Sequence, residues 1–468
     1  MDEKTKTKQL KEQLFMPAKK GIATISAEEI KKADEFCEGY KTFLDNSAVE
    51  REAVRYSLFL AKENGFEEFD PDKKYNPGDR VYCINREKAI ALAVIGKNGT
   101  KNGTRLSIAH IDSPRVDLKP NPLYEDNSLA LFKTHYYGGI KKYQWTVMPL
   151  ALHGTVVKLD GTKVDISLGA DEEEPCFCIT DLLPHLAQEQ VQEKMAKAIK
   201  GENLNVLVGS RPLDTDDEES ELVKLNVMKI LNDKYGITEN DFLSAELCFV
   251  PAQKCRDVGF DRGLIGGYGH DDKVCAYPAL IAAIDSDVPD CTCITYLTDK
   301  EEVGSDGNTG MQSDFLRYFI YDLAKLDGEE GYRVLSKSKC LSADVNAAFD
   351  PTYASAYEAK NSSYINNGVI ISKYTGHGGK YDTSDASAEY MGEIRSMLEN
   401  NGIMWQVGEL GKVDGGGGGT IAKYVANMNV DVVDLGVPVL SMHAPFELIS
   451  KVDVYEAYRA FYAFFNKL

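Results

Sequence analysis

Apolar and polar positions along the chain follow two periods, one helical and one of strands. Residues 27–63 carry apolar side chains at helical spacing, and Ser26 just before them predicts an N-cap. Residues 80–96 (RVYCINREKAIALAVIG) favour a β-hairpin, and the KNGTKNGT that follows predicts a turn. The next apolar run, in TRLSIAHIDSP, predicts a buried strand that stops at His110.

After residue 256 the pattern alternates between strand and helix. CTCITYLTD, KCLSADV, IMWQVGEL and VVDLGVPVLSMH predict strands, while MQSDFLRYFIYDLAKL predicts a helix. SAEYMGEIRSMLENNG predicts a helix that ends at Gly402, and GGGGGTIAKYVANMN predicts a glycine loop that runs into another helix. This alternation favours an α/β domain around a mostly parallel sheet.

Residues 117–255 interrupt this alternation. HGTVVKLDG and KVDISLG alternate as strands do, and acidic, turn-rich stretches lie at 171–175 and 212–221. The second stretch is predicted to be an exposed loop. We interpret the block as an insertion in a domain made of residues 1–116 and 256–468.

Composition and charge restrict the class of protein. The chain has 468 residues, 43% of them hydrophobic, which is enough for a sizeable core and more than one domain. Its formal net charge of -20 argues against nucleic acid or an anionic membrane as the main partner, because both favour clustered Lys and Arg.

The chain also lacks the patterns of membrane and secreted proteins. It has no long apolar run and no apolar signal core at its N-terminus. The ten cysteines are scattered, and neither CFC nor CTC is a C-x-x-C pattern, so disulfide and zinc–thiolate sites are weakly supported. A reduced cytoplasmic compartment is therefore expected.

Five segments each place a His, Asp or Glu where a predicted strand ends or a helix begins. They are RLSIAHID with His110 and Asp112, CITYLTDKEE with Glu301 and Glu302, KCLSAD with Asp344, VPVLSMH with His443, and the helix start GGYGHDDK with Asp271 and Asp272. Sites in open α/β sheets form outside the carboxyl ends of the strands, so these side chains are expected to converge.

Two imidazoles and several carboxylates suit a pair of divalent metal ions. Zinc, cobalt and manganese accept these ligands, and two ions need a carboxylate that bridges them. Each motif alone has an ordinary explanation: paired aspartates at a helix start usually cap it, and paired glutamates in a loop usually face solvent. All five together favour a dinuclear site.

HIDSPR, DDKVCAY, DKEEVGS, SADV and LSMHAPFE, in this order, resemble the dinuclear metallopeptidase family of aspartyl aminopeptidase and vacuolar aminopeptidase I. The resemblance covers most of the chain, including YYGGIKKYQW and LLPHLA in the insertion and GGGT near the end. It implies an aminopeptidase that releases N-terminal amino acids from peptides. It also implies an α/β, mostly parallel-sheet metallopeptidase domain with an inserted β-rich dimerisation domain at 117–255, in a homo-oligomer of up to a dodecamer.

The resemblance further implies a role for each candidate ligand. His110 and Asp344 would hold one metal ion, Glu302 and His443 the other, Asp271 would bridge them, Asp112 would orient His110, and Glu301 would be the general base. The two ions are expected to be zinc, with cobalt or manganese as alternatives. Register leaves Asp272 as the alternative bridge, and His270 either supports the site or faces solvent.

Substrate preference stays open between acidic and neutral or apolar N-terminal residues. By resemblance, residues 374–387 form the specificity loop, in which Lys380 is the candidate cation for an acidic side chain and His377 a candidate substrate contact. Thr420, after five glycines, is a third candidate, and His185 would reach a neighbouring active site. A related deacylase, a carboxypeptidase and a catalytically inactive scaffold are the alternative functions.

Overall fold

The computed structural model describes residues 3–16, 21–216 and 219–468. Their α-helices are α1 (Glu3–Leu14), α2 (Ala27–Asp45), α3 (Glu50–Glu63), α4 (Met195–Ala198), α5 (Leu222–Tyr235), α6 (His270–Ile284), α7 (Phe315–Leu326), α8 (Gly331–Leu335), α9 (Ala388–Asn400), α10 (Ala422–Ala426) and α11 (Lys451–Asn466). Among these described helices, none combines the length and the apolar character needed to cross a membrane. Of the acidic loop predicted at 212–221, residues 217 and 218 lie outside the described residues.

The strands fall into three stretches of the chain. Before residue 111 lie β1 (Glu67–Glu68), β2 (Arg80–Asn85), β3 (Ala89–Val94) and β4 (Arg105–His110). Between 115 and 251 lie β5 (Arg115–Asp126), β6 (Leu129–Tyr137), β7 (Leu150–Val157), β8 (Lys163–Leu168), β9 (Cys178–Ile179), β10 (Val206–Gly209) and β11 (Ala245–Pro251). Later come β12 (Arg256–Val258), β13 (Leu264–Gly267), β14 (Cys293–Thr298), β15 (Lys339–Ser342), β16 (Asn346–Ala347), β17 (Val369–Ser372), β18 (Gly376–His377), β19 (Trp405–Val407), β20 (Gly417–Gly418), β21 (Asp431–Gly436), β22 (Pro438–Val439) and β23 (Glu447–Ser450).

Nine strands form the central sheet, in the order β1-β2-β3-β14-β4-β15-β21-β17-β19. Five of its eight neighbouring pairs are parallel, and three are antiparallel. The middle strands β3 and β14 are buried along their whole length, because helices cover both faces of such a sheet. The predicted mixed α/β architecture is therefore confirmed.

A second sheet is built wholly from strands between Arg115 and Pro251. Its order is β8-β7-β11-β5-β6-β10-β9, and every pair in it is antiparallel. Its inner face packs around buried aromatic side chains, among them Phe132, Trp145 and Phe249. The β-like alternation seen in this part of the sequence thus corresponds to a sheet of its own, which shares no strand with the central one.

The predicted helix start at Ser26 is confirmed. The Ser26 hydroxyl accepts the backbone N–H of Glu29 at 3.2 Å, and the Glu29 carboxylate accepts the backbone N–H of Ser26 at 3.0 Å. This reciprocal pair is a capping box, which satisfies two donors at the helix start. The helical pattern at 27–63 comprises two helices, because the chain leaves the helical conformation between Asp45 and Glu50.

The main core lies where α2, α6 and α11 pack against one face of the central sheet. Helix α11 contributes several phenylalanines to this core, and the side chains of Phe461 and Phe464 are fully buried. Burial on this scale holds α6 against the sheet, and the N-terminal end of α6 faces the site described below.

Replacing Phe461 by Ala is expected to lower the free energy of unfolding by about 3–5 kcal/mol, because a fully buried ring is removed and a cavity remains. Phe260, whose side chain is fully exposed, is the matched control, and Phe260→Ala is expected to change stability by no more than about 0.5 kcal/mol. Chemical denaturation followed by circular dichroism measures both. Equal effects in the two variants would contradict the packing described for α11.

Candidate active site

Three adjacent parallel strands deliver side chains to one edge of the central sheet. His110 is the last residue of β4, and Thr298 of β14 lies opposite it, so Glu301 and Glu302 follow just beyond the strand end. On the other side Ser342 of β15 pairs with Ile108, and Asp344 follows two residues later. Because the carboxyl ends of parallel strands meet at the same edge, these side chains converge.

The remaining two groups reach the same edge through a different sheet. Strands β13 and β23 are antiparallel, and Gly267 pairs with Glu447. Asp271 follows Gly267 at the start of α6, and His443 precedes Glu447 in the turn before β23. This one pairing therefore brings together two residues that are far apart in the sequence.

Asp271 lies between the two histidines. Its Oδ1 is 3.1 Å from His110 Nε2, and its Oδ2 is 3.2 Å from His443 Nε2. Asp344 Oδ1 lies 4.0 Å from His110 Nε2, and Glu302 Oε2 lies 3.7 Å from His443 Nε2. Each imidazole thus faces a different oxygen of Asp271 and at least one further carboxylate, and His110 Nε2 also lies 3.8 Å from Glu301 Oε2.

The tautomers of both histidines follow from their other ring nitrogen. His110 Nδ1 lies 3.1 Å from the carbonyl oxygen of Asp112, and His443 Nδ1 lies 2.8 Å from that of Gly139. A carbonyl oxygen only accepts, so each Nδ1 carries the hydrogen and donates it. The Nε2 of each ring faces carboxylates, and there it either carries a proton and donates or, in the neutral imidazole, presents its lone pair to a cation.

The pKa values of the clustered side chains also indicate a site for a cation. Burial raises the pKa of Glu301 to about 7 and raises the pKa values of Glu302 and Asp344 well above their ordinary range. Burial lowers the pKa of His443, but its hydrogen bond to Asp271 and the charge of Glu302 outweigh this and raise it to about 11. A bound divalent cation would take the place of the protons that this cluster otherwise retains.

The donor set fits a metal ion. His110 Nε2 and Glu302 Oε1 are buried and have no hydrogen-bond partner among the described residues. Three groups of residues could each hold an ion, because the ligand atoms within each group all lie within 4.8 Å of one another. The groups are His110 with Asp271 and Asp344, His110 with Glu301 and Glu302, and Asp271 with Glu302 and His443. Imidazole nitrogens and carboxylate oxygens are ligands that zinc accepts.

One buried carboxylate, that of Asp112, supports both neighbouring glutamates. Its Oδ1 accepts the backbone N–H of Glu301 at 3.1 Å, and its Oδ2 accepts that of Glu302 at 3.2 Å. Asp112 Oδ1 also lies 3.3 Å from His110 Nδ1, and the Tyr137 hydroxyl donates to Oδ2 at 2.7 Å. Asp112 therefore holds His110 and the loop after β14 in one arrangement.

These groups lie in a cleft of about 900 Å³. Beyond the charged residues its walls are largely aromatic and aliphatic, and include Tyr143, Val345, Tyr353, Tyr357, Leu410, Val439 and Met442. A cleft with a few convergent polar groups at one end and apolar walls suits a small organic ligand.

Comparison with known proteins identifies the family. Residues 43–465 match the family model described as aminopeptidase I zinc metalloprotease (M18). The chain belongs to the M18 family. The predicted resemblance is confirmed, and so is the activity: this M18 protein is a metallo-aminopeptidase, a peptide hydrolase.

Relatives of this M18 aminopeptidase match it along nearly its whole length. It is 48% identical over 435 residues to the probable M18 family aminopeptidase 1 of Clostridium acetobutylicum, covering 91% of this chain and 93% of that one. The crystal structure of the M18 aminopeptidase from Thermotoga maritima superimposes with a TM-score of 0.91 at 44% identity, covering 97% and 100%. The S. cerevisiae mApe1 dodecamer, at 20% identity and a TM-score of 0.75 over 93% and 97%, shares the fold.

The four substrate candidates lie in different surroundings. Thr420 lines the cleft, and its hydroxyl donates to Asp434 Oδ2 at 3.1 Å. Lys380 lies outside the lining of the cleft, where its ammonium pairs with Asp385 at 2.8 Å and lies 3.6 Å from the centre of the Tyr374 ring. His377 is exposed beside Asp382 at 3.9 Å, and His185 is exposed in the block at 117–255. Of these candidates, only Thr420 is brought to the cleft within one chain.

The neighbours of Asp271 have different surroundings. Asp272 is buried, faces Cys275, and neither of its carboxylate oxygens has a hydrogen-bond partner in the described part of the chain. His270 is buried and shares a 2.6 Å hydrogen bond with the Tyr40 hydroxyl, so it does not face solvent. Of the two adjacent aspartates, only Asp271 faces both histidines.

Sequence reasoning missed Glu447 and Gly139. Glu447 is buried, and its carboxylate accepts the backbone N–H of His443 at 2.7 Å and that of Asp271 at 3.1 Å. A Cβ on Gly139 would lie 3.2 Å from His443 Nδ1, so a glycine lets this backbone carbonyl reach the imidazole. The Gly-Gly pair in YYGGIKKYQW and the Glu in LSMHAPFE were the signals available for these contacts.

Replacing Glu447 by Gln is expected to lower the aminopeptidase kcat/KM by about 10–100-fold, because outer partners of this kind orient the groups that act on the substrate. The amide presents one NH₂ to a backbone N–H, so one of the two contacts is lost. Initial rates with a leucyl substrate measure the effect.

Asp453 is the matched control. Its carboxylate is also buried, accepts the backbone N–H groups of Asn366 and Gly368 at 2.7 Å each, and lies outside the lining of the cleft. Asp453→Asn is expected to lose stability but to keep the wild-type kcat/KM per folded molecule. An equal fall in kcat/KM in both variants would show that Glu447 acts only through stability.

Proposed function

We propose that the enzyme removes N-terminal residues from peptides with two metal ions, held by His110 and Asp344 at one position and by Glu302 and His443 at the other, with Asp271 as the bridge. The observation that carries this proposal is the position of Asp271, each of whose oxygens faces a different imidazole. The Nε2 of each imidazole faces carboxylates, and two metal cations in place of the protons would satisfy all of these groups at once.

The ions are proposed to be zinc, with cobalt or manganese as substitutes, because imidazole and carboxylate ligands suit all three. When bound, two such ions polarise the scissile carbonyl and lower the pKa of the attacking water.

Glu301 is proposed as the general base. Its carboxylate is more exposed than that of Glu302, with 18% of the side chain accessible against 2%, so it can meet a substrate. It takes the proton of the attacking water and passes it to the departing amine. The free α-amine of the substrate is a cation, which the carboxylates at this end of the cleft attract.

Asp112 is a positioning residue in this proposal. It accepts the backbone N–H groups of both glutamates and lies against His110 Nδ1. Glu302 can therefore face one way as a ligand while Glu301 faces the substrate, although the two are adjacent in sequence.

We propose that the block at 117–255 is a dimerisation domain in a homo-oligomer. Support comes from an exposed apolar segment within it, made of Leu182, Leu183, Leu186, Val191 and Met195, because clustered exposed apolar side chains mark contact surfaces. His185 lies within this segment, which suits the predicted approach to a neighbouring active site. The S. cerevisiae mApe1 structure, which shares this fold, is a dodecamer.

We propose that the enzyme acts in the cytoplasm on peptides. Neither nucleic acid nor a membrane is proposed as a partner. All ten cysteines are free thiols, as expected in a reducing compartment. The net charge of -20 opposes binding to polyanions.

Glu301→Gln is expected to lower kcat by about 10²–10⁴-fold while metal content stays near that of the wild type, because a general base is lost and no ligand is. Glu302→Gln, the adjacent control, is expected to lose metal as well as activity. Metal analysis of dialysed protein, with rates measured on the same samples, separates the two. Equal metal loss in both variants would contradict the division between base and ligand.

Leu183→Glu combined with Leu186→Glu is expected to shift the protein towards smaller assemblies, because two charges would be placed in an apolar contact. Leu159→Glu is the matched control, since Leu159 is fully exposed in the same block but outside the apolar segment. Size-exclusion chromatography with light scattering gives the mass of each variant. A wild type that is monomeric at micromolar concentration would count against the oligomer.

A further inference from the structure

A lysine, Lys141, lines the cleft and has no role in the proposed metal chemistry. Among the described residues that line it, Lys141 is the one Lys or Arg, and five carboxylates line the same cleft: Asp271, Glu301, Glu302, Asp344 and Asp350. The ammonium of Lys141 makes no hydrogen bond or ion pair with any residue that the structure describes. Lys141 is exposed and belongs to the lining of the cleft, so its long side chain can reach the space that a substrate would enter.

The backbone that carries Lys141 is held at a definite place beside the site. Two residues earlier, the carbonyl of Gly139 receives the Nδ1 hydrogen of His443 at 2.8 Å. Just after it, the N–H of Gln144 donates to the Lys141 carbonyl at 2.9 Å, and Trp145 is fully buried in the core of the second sheet. Because two residues span at most about 7 Å, the Cα of Lys141 lies within that distance of the Cα of Gly139.

We propose that Lys141 binds a carboxylate of the peptide substrate. The proposal rests on the proposed function, in which the acidic end of the cleft holds the amino terminus. A short peptide then has its C-terminal carboxylate only about 3.5 Å per residue beyond the scissile carbonyl, within reach of a lysine at this position. A protein of net charge -20 repels such an anion unless a local cation is present.

An acidic side chain on the N-terminal residue offers the same chemistry. Lys380, the cation predicted for that role, is paired with Asp385 and lies outside the lining of the cleft. The ammonium of Lys141, by contrast, forms no ion pair within the described part of the chain. The two sources of the carboxylate, the C-terminus and the side chain, are distinguished by the choice of substrates.

The experiment uses two substrate pairs that differ by one charge each. Leucyl-glycine and leucyl-glycinamide differ only in the C-terminal carboxylate, and glutamyl- and glutaminyl-p-nitroanilide differ only in the side-chain carboxylate. For each pair we take the ratio of kcat/KM for the substrate with the carboxylate to kcat/KM for the substrate without it. This ratio is measured for the metal-loaded, assembled wild type and for four variants: Lys141→Met, Lys141→Arg, Lys142→Met and Lys380→Met. Lys142 is the matched control, because its ammonium donates to the Ala196 carbonyl at 3.2 Å, outside the lining of the cleft.

In Lys141→Met, the ratio of one pair is expected to fall about three- to tenfold, as the loss of a partly exposed charge-assisted contact predicts. The pair that responds identifies the source of the carboxylate. Lys141→Arg, which keeps the charge, and Lys142→Met are expected to retain the wild-type ratios. A general effect on folding or assembly lowers both members of a pair alike and leaves their ratio unchanged.

Unchanged ratios in Lys141→Met, an equal fall in Lys142→Met, or a fall confined to Lys380→Met would each overturn the role of Lys141. In all three outcomes the wild type still releases leucine, so the proposed function survives. A wild type that releases leucine from neither peptide would instead remove the proposed function and this proposal with it.

Discussion

The site depends on one electrostatic constraint, the meeting of several buried carboxylates with two imidazoles whose Nδ1 hydrogens are already donated to backbone carbonyls. Because the carbonyls of Asp112 and Gly139 can only accept, each imidazole donates from Nδ1 and turns its Nε2 towards the carboxylates opposite. Buried carboxylates and a deprotonated Nε2 repel one another unless protons or metal cations lie between them. A bound metal ion would therefore stabilise the fold of this region as well as take part in its chemistry.

Contacts to the backbone hold the like charges of the site close together. The carboxylates of Asp112 and Glu447 accept backbone N–H groups of four site residues, which fixes the loops and leaves the site's own side chains unobstructed. Lys300 and His443 hold left-handed backbone conformations, with φ of 71° and 64°. Such conformations persist in non-glycine residues only where neighbouring contacts impose them, as they do here.

The cleft is lined by two kinds of side chain, carboxylates and apolar groups. Carboxylates gather where the strands of the central sheet terminate, and aromatic and aliphatic side chains line the remaining walls. Lys141 lies in the connection between β6 and β7 of the second sheet, whereas the proposed metal ligands end or follow strands of the central sheet, begin α6 or, for His443, precede β23. Both parts of the chain line the cleft, so a change in the second sheet can alter its shape without touching the proposed metal ligands.

The sequence by itself determined the local elements and the kind of chemistry. Periodicity identified the hairpin at 80–96 and the helix start at Ser26, because burial of one face imposes a period on each segment separately. It also placed His110, Glu302 and Asp344 at strand ends, since a strand that stops at a polar residue is visible locally. Only the tertiary structure decided the rest. The pairing of β13 with β23 brings Asp271 to His443, and it places Glu447 against both. The same is true of the two lysines: an ion pair with Asp385 occupies Lys380, while Lys141 lies in the cleft unpaired among the described residues. A local pattern reports whether a side chain is buried, but its partner is set by strand register and loop position over hundreds of residues, and those are properties of the whole fold.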